Sequence, residues 1–173
     1  MLSINKSTIS KFDIAGPRYT SYPTAPTWTT EVTADIYQKK LEAYGRSSKT
    51  LSLYIHIPFC QTMCSFCACS VVLRQPDEKY SDEYLEHLFK EIDWVAQSIG
   101  KRAKVKQLHL GGGTPNFLST HQIEKLIAKL DEQFDIDRGG EVAVEIDPRT
   151  VSVDQIHLLK KLGFKRVSLG EQD

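Results

Sequence analysis

The sequence predicts an α/β fold in which parallel strands alternate with helical crossovers. Three observations predict it. Short apolar, β-rich runs recur at 51–57, 105–110, 141–146 and 164–169. Between them lie longer stretches whose apolar residues repeat at helical spacing. Each chemically unusual segment follows a strand: cysteines after the first, glycines after the second, Glu145 and Asp147 at the end of the third, Gly170 and Gln172 after the fourth. Alternation of this kind gives parallel strands with right-handed crossovers, and such folds collect their chemistry at the carboxyl ends of the strands.

Residues 1–50 read as an irregular arm with one short helix. Gly16-Pro17, Tyr22-Pro23 and Pro26 interrupt regular structure there, while 34–44 can form an amphipathic helix ended by Gly45. Residues 51–173 read as the first part of a core domain. Its opening strand, Leu51–Ile57, is stopped by Pro58. Residues 81–99 carry Tyr84, Leu85, Leu88, Phe89, Ile92 and Val95 on one helical face, with Gly100 as the stop. The strand 105–110 runs into Gly111-Gly112-Gly113-Thr114-Pro115. Ser119 can cap a helix that continues through Phe134, with Gln122 in the capping-box position. The strand 141–146 ends at Asp147-Pro148. Ser152 opens the last helix, again with Gln155 three residues on, and Gly163 is placed as its C′ residue before the strand 164–169.

With 40% apolar residues, 173 residues suffice for one core. Lys and Arg number 22 against 22 Asp and Glu, so no basic field suggests nucleic acid. No apolar run approaches the roughly 20 residues of a membrane span. The N-terminus has no basic segment followed by an apolar one, so it does not read as a secretory signal, and the Asn5-Lys6-Ser7 sequon carries no weight. The expected compartment is a reducing cytoplasm, and the expected state is a monomer. A lone four-stranded parallel sheet would leave an edge bare. The chain is therefore expected to be the front part of a larger protein, cut after its fourth strand.

Cys60, Cys64 and Cys67 have the spacing C-x3-C-x2-C. Three close thiolates can hold three irons of a cubane cluster and leave the fourth iron without a protein ligand. An open iron can bind a small molecule, and a cluster that passes an electron to it becomes a radical generator. The bacterial ferredoxin run does not fit, because the first gap is three and no Cys-Pro follows. Zinc stays open as an alternative: all four cysteines fall within 60–69 and no second pair exists, but three sulfurs plus His56 could hold that metal. Structural disulfides are disfavoured in a chain without a secretory signal.

The glycine run lets a backbone approach a ligand without a Cβ in the way; three glycines alone would favour a tight turn without a ligand, and the cysteine motif one strand away reverses that preference. In the strand 141–146, period-2 alternation puts Ala143, Glu145 and Asp147 on one face and Val142, Val144 and Ile146 on the other. A carboxylate on an inward face needs partners. A ligand's hydroxyl pair would serve, and so would a salt bridge.

The cysteine spacing resembles that of the radical S-adenosylmethionine (SAM) superfamily. The resemblance implies a partial (βα) barrel, a [4Fe-4S] cluster on Cys60, Cys64 and Cys67, and SAM chelated at the open iron, where one electron cleaves it to methionine and a 5′-deoxyadenosyl radical. Gly111, Gly112, Gly113 and Thr114 match the motif whose backbone receives the SAM ammonium. Glu145 and Gln172 look like further SAM ligands.

Four segments narrow the resemblance: GPRYTSYPT at 16–24, YIHIPFC at 54–60, CSFCAC at 64–69 and EIDPR at 145–149. Together they resemble the oxygen-independent coproporphyrinogen III oxidase (coproporphyrinogen III dehydrogenase) family, from about Gly16 to Asp173. That resemblance implies conversion of two propionates of coproporphyrinogen III to the vinyls of protoporphyrinogen IX in haem biosynthesis. It implies hydrogen abstraction at the propionate β-carbon, two SAM molecules, an electron donor and a final electron acceptor. Tyr54 would contact SAM and Phe66 would shield the cluster. His56 would sit near it, Cys69 matches a family cysteine that is not a ligand, and the resemblance makes Tyr54, His56 and Cys69 the candidate catalytic residues. Arg18, Tyr19 and Tyr22 match an arm that approaches the active site. The bland readings are a satisfied strand histidine for His56, a small buried residue for Cys69 and a surface loop for the arm.

Ala68 stands where the family usually has Gly, and Glu171 where an apolar residue is more usual. Neither removes a ligand. A related haem-chaperone family shares the cluster motif and glycine run, but it typically has an aromatic at the position of Cys69 and lacks the long Tyr-Pro arm. With half a barrel, the 173-residue piece is expected not to turn over coproporphyrinogen by itself.

Overall fold

A computed structural model describes residues 5–13, 27–65, 67 and 69–170. The expectations for Arg18, Tyr19, Tyr22 and the rest of 16–24, and for Phe66, Ala68, Glu171 and Gln172, fall outside the described residues. The chain divides into two compact units, one up to Tyr37 and one from Gln38 onward. Among its described residues the arm, expected to hold one helix, carries two α-helices: α1 (Lys6–Phe12) and α2 (Ala34–Gly45), the latter crossing the division. At 7 residues, α1 is too short for its apolar spacing to announce it.

The second unit contains β1 (Leu51–Ile57), β2 (Phe59–Cys60), β3 (Val72–Leu73), α3 (Glu78–Ile99), β4 (Lys104–Gly112), α4 (Thr120–Gln133), β5 (Asp135–Ile146), α5 (Val153–Lys161) and β6 (Arg166–Leu169). Its main sheet has four strands in the order β1-β4-β5-β6, every pair parallel. Strands thus lie side by side in chain order. Barrels wind that way, whereas an open sheet reverses its order at a switch point.

The alternation along the strands sorts the two faces. Ile55 and Ile57 of β1, Leu108 and Leu110 of β4, and Val142, Val144 and Ile146 of β5 join one buried cluster. Leu85, Leu88 and Ile92 of α3, Leu126, Ile127 and Leu130 of α4, and Leu158 and Leu159 of α5 complete it. Each such side chain contributes about 1.5–3 kcal/mol when fully buried. The opposite sheet face bears Tyr54, His56, His109, Gly111 and Glu145, and none of the three crossover helices covers it. No helix among the described residues is long and apolar enough to cross a membrane.

Several boundaries differ from expectation. Helix α3 starts at Glu78 rather than 81, because Asp77 caps it by accepting from the Lys79 N–H at 2.9 Å. Strand β5 begins at Asp135 instead of 141. Its pairing with β4 shifts register after Val105↔Ile136 and resumes at Gln107↔Glu141, so Arg138-Gly139-Gly140 is absorbed as an irregularity. Both capping boxes form, Ser119 with Gln122 and Ser152 with Gln155. Gly163 takes φ 89° after α5, and the Phe164 N–H to Leu159 O bond at 3.0 Å closes a Schellman turn there.

Candidate functional site

Pro58 ends β1, and the chain then makes two residues of strand. Phe59 and Cys60 pair in parallel with Val72 and Leu73, and the Val72 and Arg74 N–H groups donate to Pro58 O at 2.7 Å and Cys60 O at 2.9 Å. This clasp ties the exposed Val72–Leu73 end of a loop to its Phe59 end, which is buried in the core, and all four cysteines lie between Phe59 and Val72. Phe59 anchors the loop from below. Its ring stacks on Phe117 at 5.1 Å and meets Tyr84 edge-on at 5.5 Å. A ladder this short escapes any periodicity argument.

None of the four cysteines is in a disulfide. The Cys60 thiol lies 3.3 Å from the Thr114 hydroxyl, so the cysteine loop and the glycine turn meet directly. Burial pushes the Cys60 thiol up, and the Thr114 contact opposes the rise. Cys60, Cys64, Cys67 and Cys69 all line one cavity of about 350 Å³, with Gly112, Gly113, Thr114, Glu145 and Asp147 on its other walls. Among the described residues no three His, Cys, Asp or Glu side chains already form a closed metal site. The donor chemistry nonetheless fits a sulfur-ligated iron cluster: soft thiols share one wall of a ligand-sized cavity.

The glycine run is explained at close range. A Cβ on Gly111 would lie 2.8 Å from Glu145 Oε2 and 3.0 Å from Tyr54 Cε2. One on Gly113 would lie 2.8 Å from Phe59 O. Gly112 sits at φ +114°, where a Cβ would fall 2.6 Å from His56 Nδ1. The glycines therefore serve the packing of their own neighbours first, and they shape the cavity wall by doing so.

His56 and Tyr54 are coupled. His56 Nε2 lies 3.1 Å from the Ser70 carbonyl oxygen, and its Nδ1 lies 3.0 Å from the Tyr54 hydroxyl. A carbonyl only accepts, so Nε2 carries the proton, and in the neutral ring Nδ1 accepts from Tyr54. His56 thus ties the exit of the cysteine loop to β1 and orients Tyr54. Burial, and after it the Glu145 charge, pushes the Tyr54 phenol up, keeping it protonated as a donor.

Among the described residues Glu145 has no Arg or Lys partner. Its Oε1 accepts from His109 Nε2 at 2.9 Å and its Oε2 from the Gly112 N–H at 3.2 Å. Below it, Arg149 grips Asp147 with two bonds, Nε to Oδ1 at 2.9 Å and Nη2 to Oδ2 at 2.7 Å, and reaches Thr62 Oγ1 at 3.4 Å. These bonds to Arg149 hold the Asp147 carboxyl below the usual carboxylate range. Asn116 bridges the same turn to the glycine loop, accepting from the Asp147 N–H at 2.8 Å. Arg149→Ala is expected to loosen the cysteine loop. Alkylation of the apo-protein's thiols by iodoacetamide should quicken by a few-fold, and an unchanged rate would deny Arg149 that role.

The structure brings Tyr54, His56, the four cysteines, Gly111, Gly112, Gly113, Thr114 and Glu145 to one end of the sheet. His109, Asn116, Thr62 and Arg149 belong to the same constellation and were not singled out from sequence. His109 had a signal: counting back by two from Gly111 puts it on the Glu145 face. Asn116 and Thr62 had none, because their contacts span loops far apart in the chain, whereas Arg149 stands in the segment 145–149, two residues from the Asp147 it grips.

A family profile described as the radical SAM superfamily matches residues 54–172. The chain belongs to the radical SAM superfamily. Over 167 residues it is 41% identical to a Pseudomonas aeruginosa protein named oxygen-independent coproporphyrinogen III oxidase, covering 95% of this chain and 36% of that one. A protein of the same name from Escherichia coli is 39% identical over 165 residues, covering 95% and 35%. The solved coproporphyrinogen III oxidase from Escherichia coli, a radical SAM enzyme, superposes with a TM-score of 0.81 at 37% identity, covering 90% of this chain and 35% of that one. The chain spans about a third of the length of these relatives. Its four parallel strands and one-sided helices are accordingly the radical SAM α/β architecture, present as part of a barrel.

Proposed function

We propose that this chain is the cofactor-holding part of an oxygen-independent coproporphyrinogen III oxidase of haem biosynthesis, acting in the cytoplasm. The observation that carries the reading is the meeting of three thiols, the glycine turn and an oriented Glu145 around one cavity, in a chain 41% identical to a protein of that name. Cys60, Cys64 and Cys67 would hold a [4Fe-4S] cluster, and Cys69 would not ligate it. Gly111, Gly112, Gly113 and Thr114 would receive the SAM ammonium. Tyr54, Glu145 and Gln172 would bind the remainder of that cofactor and Phe66 would shield the cluster, with a second SAM molecule also bound. When bound, the cluster and SAM would supply the radical chemistry that loss of a hydrogen atom from a propionate β-carbon requires.

The substrate then gives up one electron to an outside acceptor and releases carbon dioxide, leaving a vinyl group. The chain's own residues position and exclude. Tyr54 stays a protonated donor, held by His56. The Phe59–Phe117–Tyr84 cluster keeps the floor of the cysteine loop dry.

The test is anaerobic reconstitution of the intact protein with iron and sulfide, EPR of the reduced form with and without SAM, and an assay for vinyl product. A cubane signal that changes with SAM, together with product, is the expected result. A cluster indifferent to SAM would refute the assignment of the open iron. A colourless protein would return the cysteines to zinc.

A further inference from the structure

We propose that His109 is a positioning residue, a brace that holds the Glu145 carboxylate and the Tyr54 ring in the geometry SAM requires. The inference rests on the reading that Glu145 contacts SAM, and it concerns a residue which that reading leaves without a role.

His109 stands on β4, the strand between the two that carry its partners. Its register neighbours are Tyr54 on β1 and Ala143 on β5. The Tyr54 ring stacks on the His109 ring, with centroids 5.8 Å apart and planes 14° from parallel. On the other side, Nε2 reaches Glu145 Oε1 at 2.9 Å. An ionised carboxylate only accepts, so this nitrogen is the donor. Glu145 lines the cavity, whereas His109 is not among the residues that do. The histidine therefore lies behind the carboxylate.

The consequence is directional. Without His109, the Gly112 N–H is the one remaining bond among the described residues that orients a side chain 44% exposed. With it, each Glu145 oxygen is held from the protein side by one bond, and its remaining lone pairs are left for the cavity. A carboxylate held this way offers both oxygens to a vicinal diol without first losing rotamer freedom, which is where a preorganised site gains affinity. The His109 face does the same for Tyr54, whose phenol is already aimed by His56.

The test is the SAM dissociation constant of the intact, anaerobically reconstituted protein, measured by equilibrium dialysis, with iron content and circular dichroism matched between variants. His109→Phe keeps the stacked ring and removes the donor, and it should weaken SAM about tenfold, the scale of one hydrogen bond to a charged group. In His109→Gln the amide nitrogen replaces Nε2, and binding should stay within about threefold of wild type. Glu145→Gln should weaken SAM by about tenfold or more. Adding His109→Phe to it should change little further, because the two residues act as a unit. If His109→Phe fails to fold, His109→Asn takes its place, since its amide is one bond too short to reach Oε1.

Normal SAM binding by His109→Phe beside weak binding by Glu145→Gln would overturn the brace alone. A loss in His109→Gln with none in His109→Phe would also overturn it, since the donor would then not matter. Normal binding by Glu145→Gln would overturn the assignment of Glu145 to SAM, and the brace with it.

Discussion

Cys64→Ala in the intact protein is expected to abolish the cluster, while Cys69→Ala retains it. Cys64 occupies the middle position of C-x3-C-x2-C, so its loss leaves two thiolates where three irons need them. Even the outer partners of metal ligands typically cost 10–100-fold in metal affinity when removed, so loss of a ligand itself should exceed about 100-fold. Cys69 lines the same cavity, and proximity alone does not separate it from the other three. The distinction comes from the resemblance to the radical SAM motif, and the two variants test it. Iron and sulfide content after anaerobic reconstitution, with the visible absorption of the cluster, gives the answer. Equal iron loss in both variants would make Cys69 a ligand in its own right.

Gly112→Ala should be the most damaging single methyl addition in the glycine turn. Gly112 alone of the three has a left-handed φ, +114°, and the new Cβ would lie 2.6 Å from His56 Nδ1 and 2.7 Å from Cε1. That imidazole cannot simply swing away, because its two nitrogens engage Tyr54 and Ser70. Backbone strain, overpacking and the lost Tyr54 hydrogen bond add to about 2–4 kcal/mol. A thermal midpoint lower by several degrees should follow, with weakened SAM binding because Tyr54 loses its support. Gly139→Ala is the control. Its Cβ would meet only the tip of the half-buried Asp137 side chain, which accepts from the Gly139 N–H, and its φ is not positive, so stability should move by about 1 kcal/mol or less. Equal midpoints for the two variants would show that the turn relaxes around a methyl group at 112.

The legible parts of this chain share one property: their signal is local and periodic. Leu51–Ile57 announces β1 by composition and by the Pro58 that ends it. Helices α4 and α5 begin where Ser-x-x-Gln capping boxes stand, since both halves of a capping box lie within four residues of chain. Glu145 could be placed on the polar face of β5 because strand alternation is strict. What escaped is equally consistent. The β2–β3 clasp joins residues 59–60 to 72–73, two residues a side, with no period to read. The irregular start of β5 depends on how Arg138-Gly139-Gly140 is accommodated against β4, a matter of pairing rather than of either strand alone. The partner of Glu145 was expected to be a ligand, an Arg or a Lys. It is His109, a neighbour only once β4 lies beside β5 in this register.

By itself the sequence determined the chemistry available: three thiols at cluster spacing, a glycine turn after a strand, a carboxylate at the next strand's end, and the βα order that sends all of these to the same edge of a parallel sheet. Tertiary structure alone decided how these groups support one another. Hydrogen bonds and ring stacking act over a few ångströms, and the residues concerned lie tens of positions apart in the chain. Only the register of β1, β4 and β5 sets Tyr54 against His109 and His109 against Glu145. Only the closed cysteine loop sets Cys60 against Thr114 and Ser70 against His56. For the same reason the glycines at 111–113 read differently in the fold: the space a side chain would need there is already filled by Glu145, His56 and the Phe59 carbonyl.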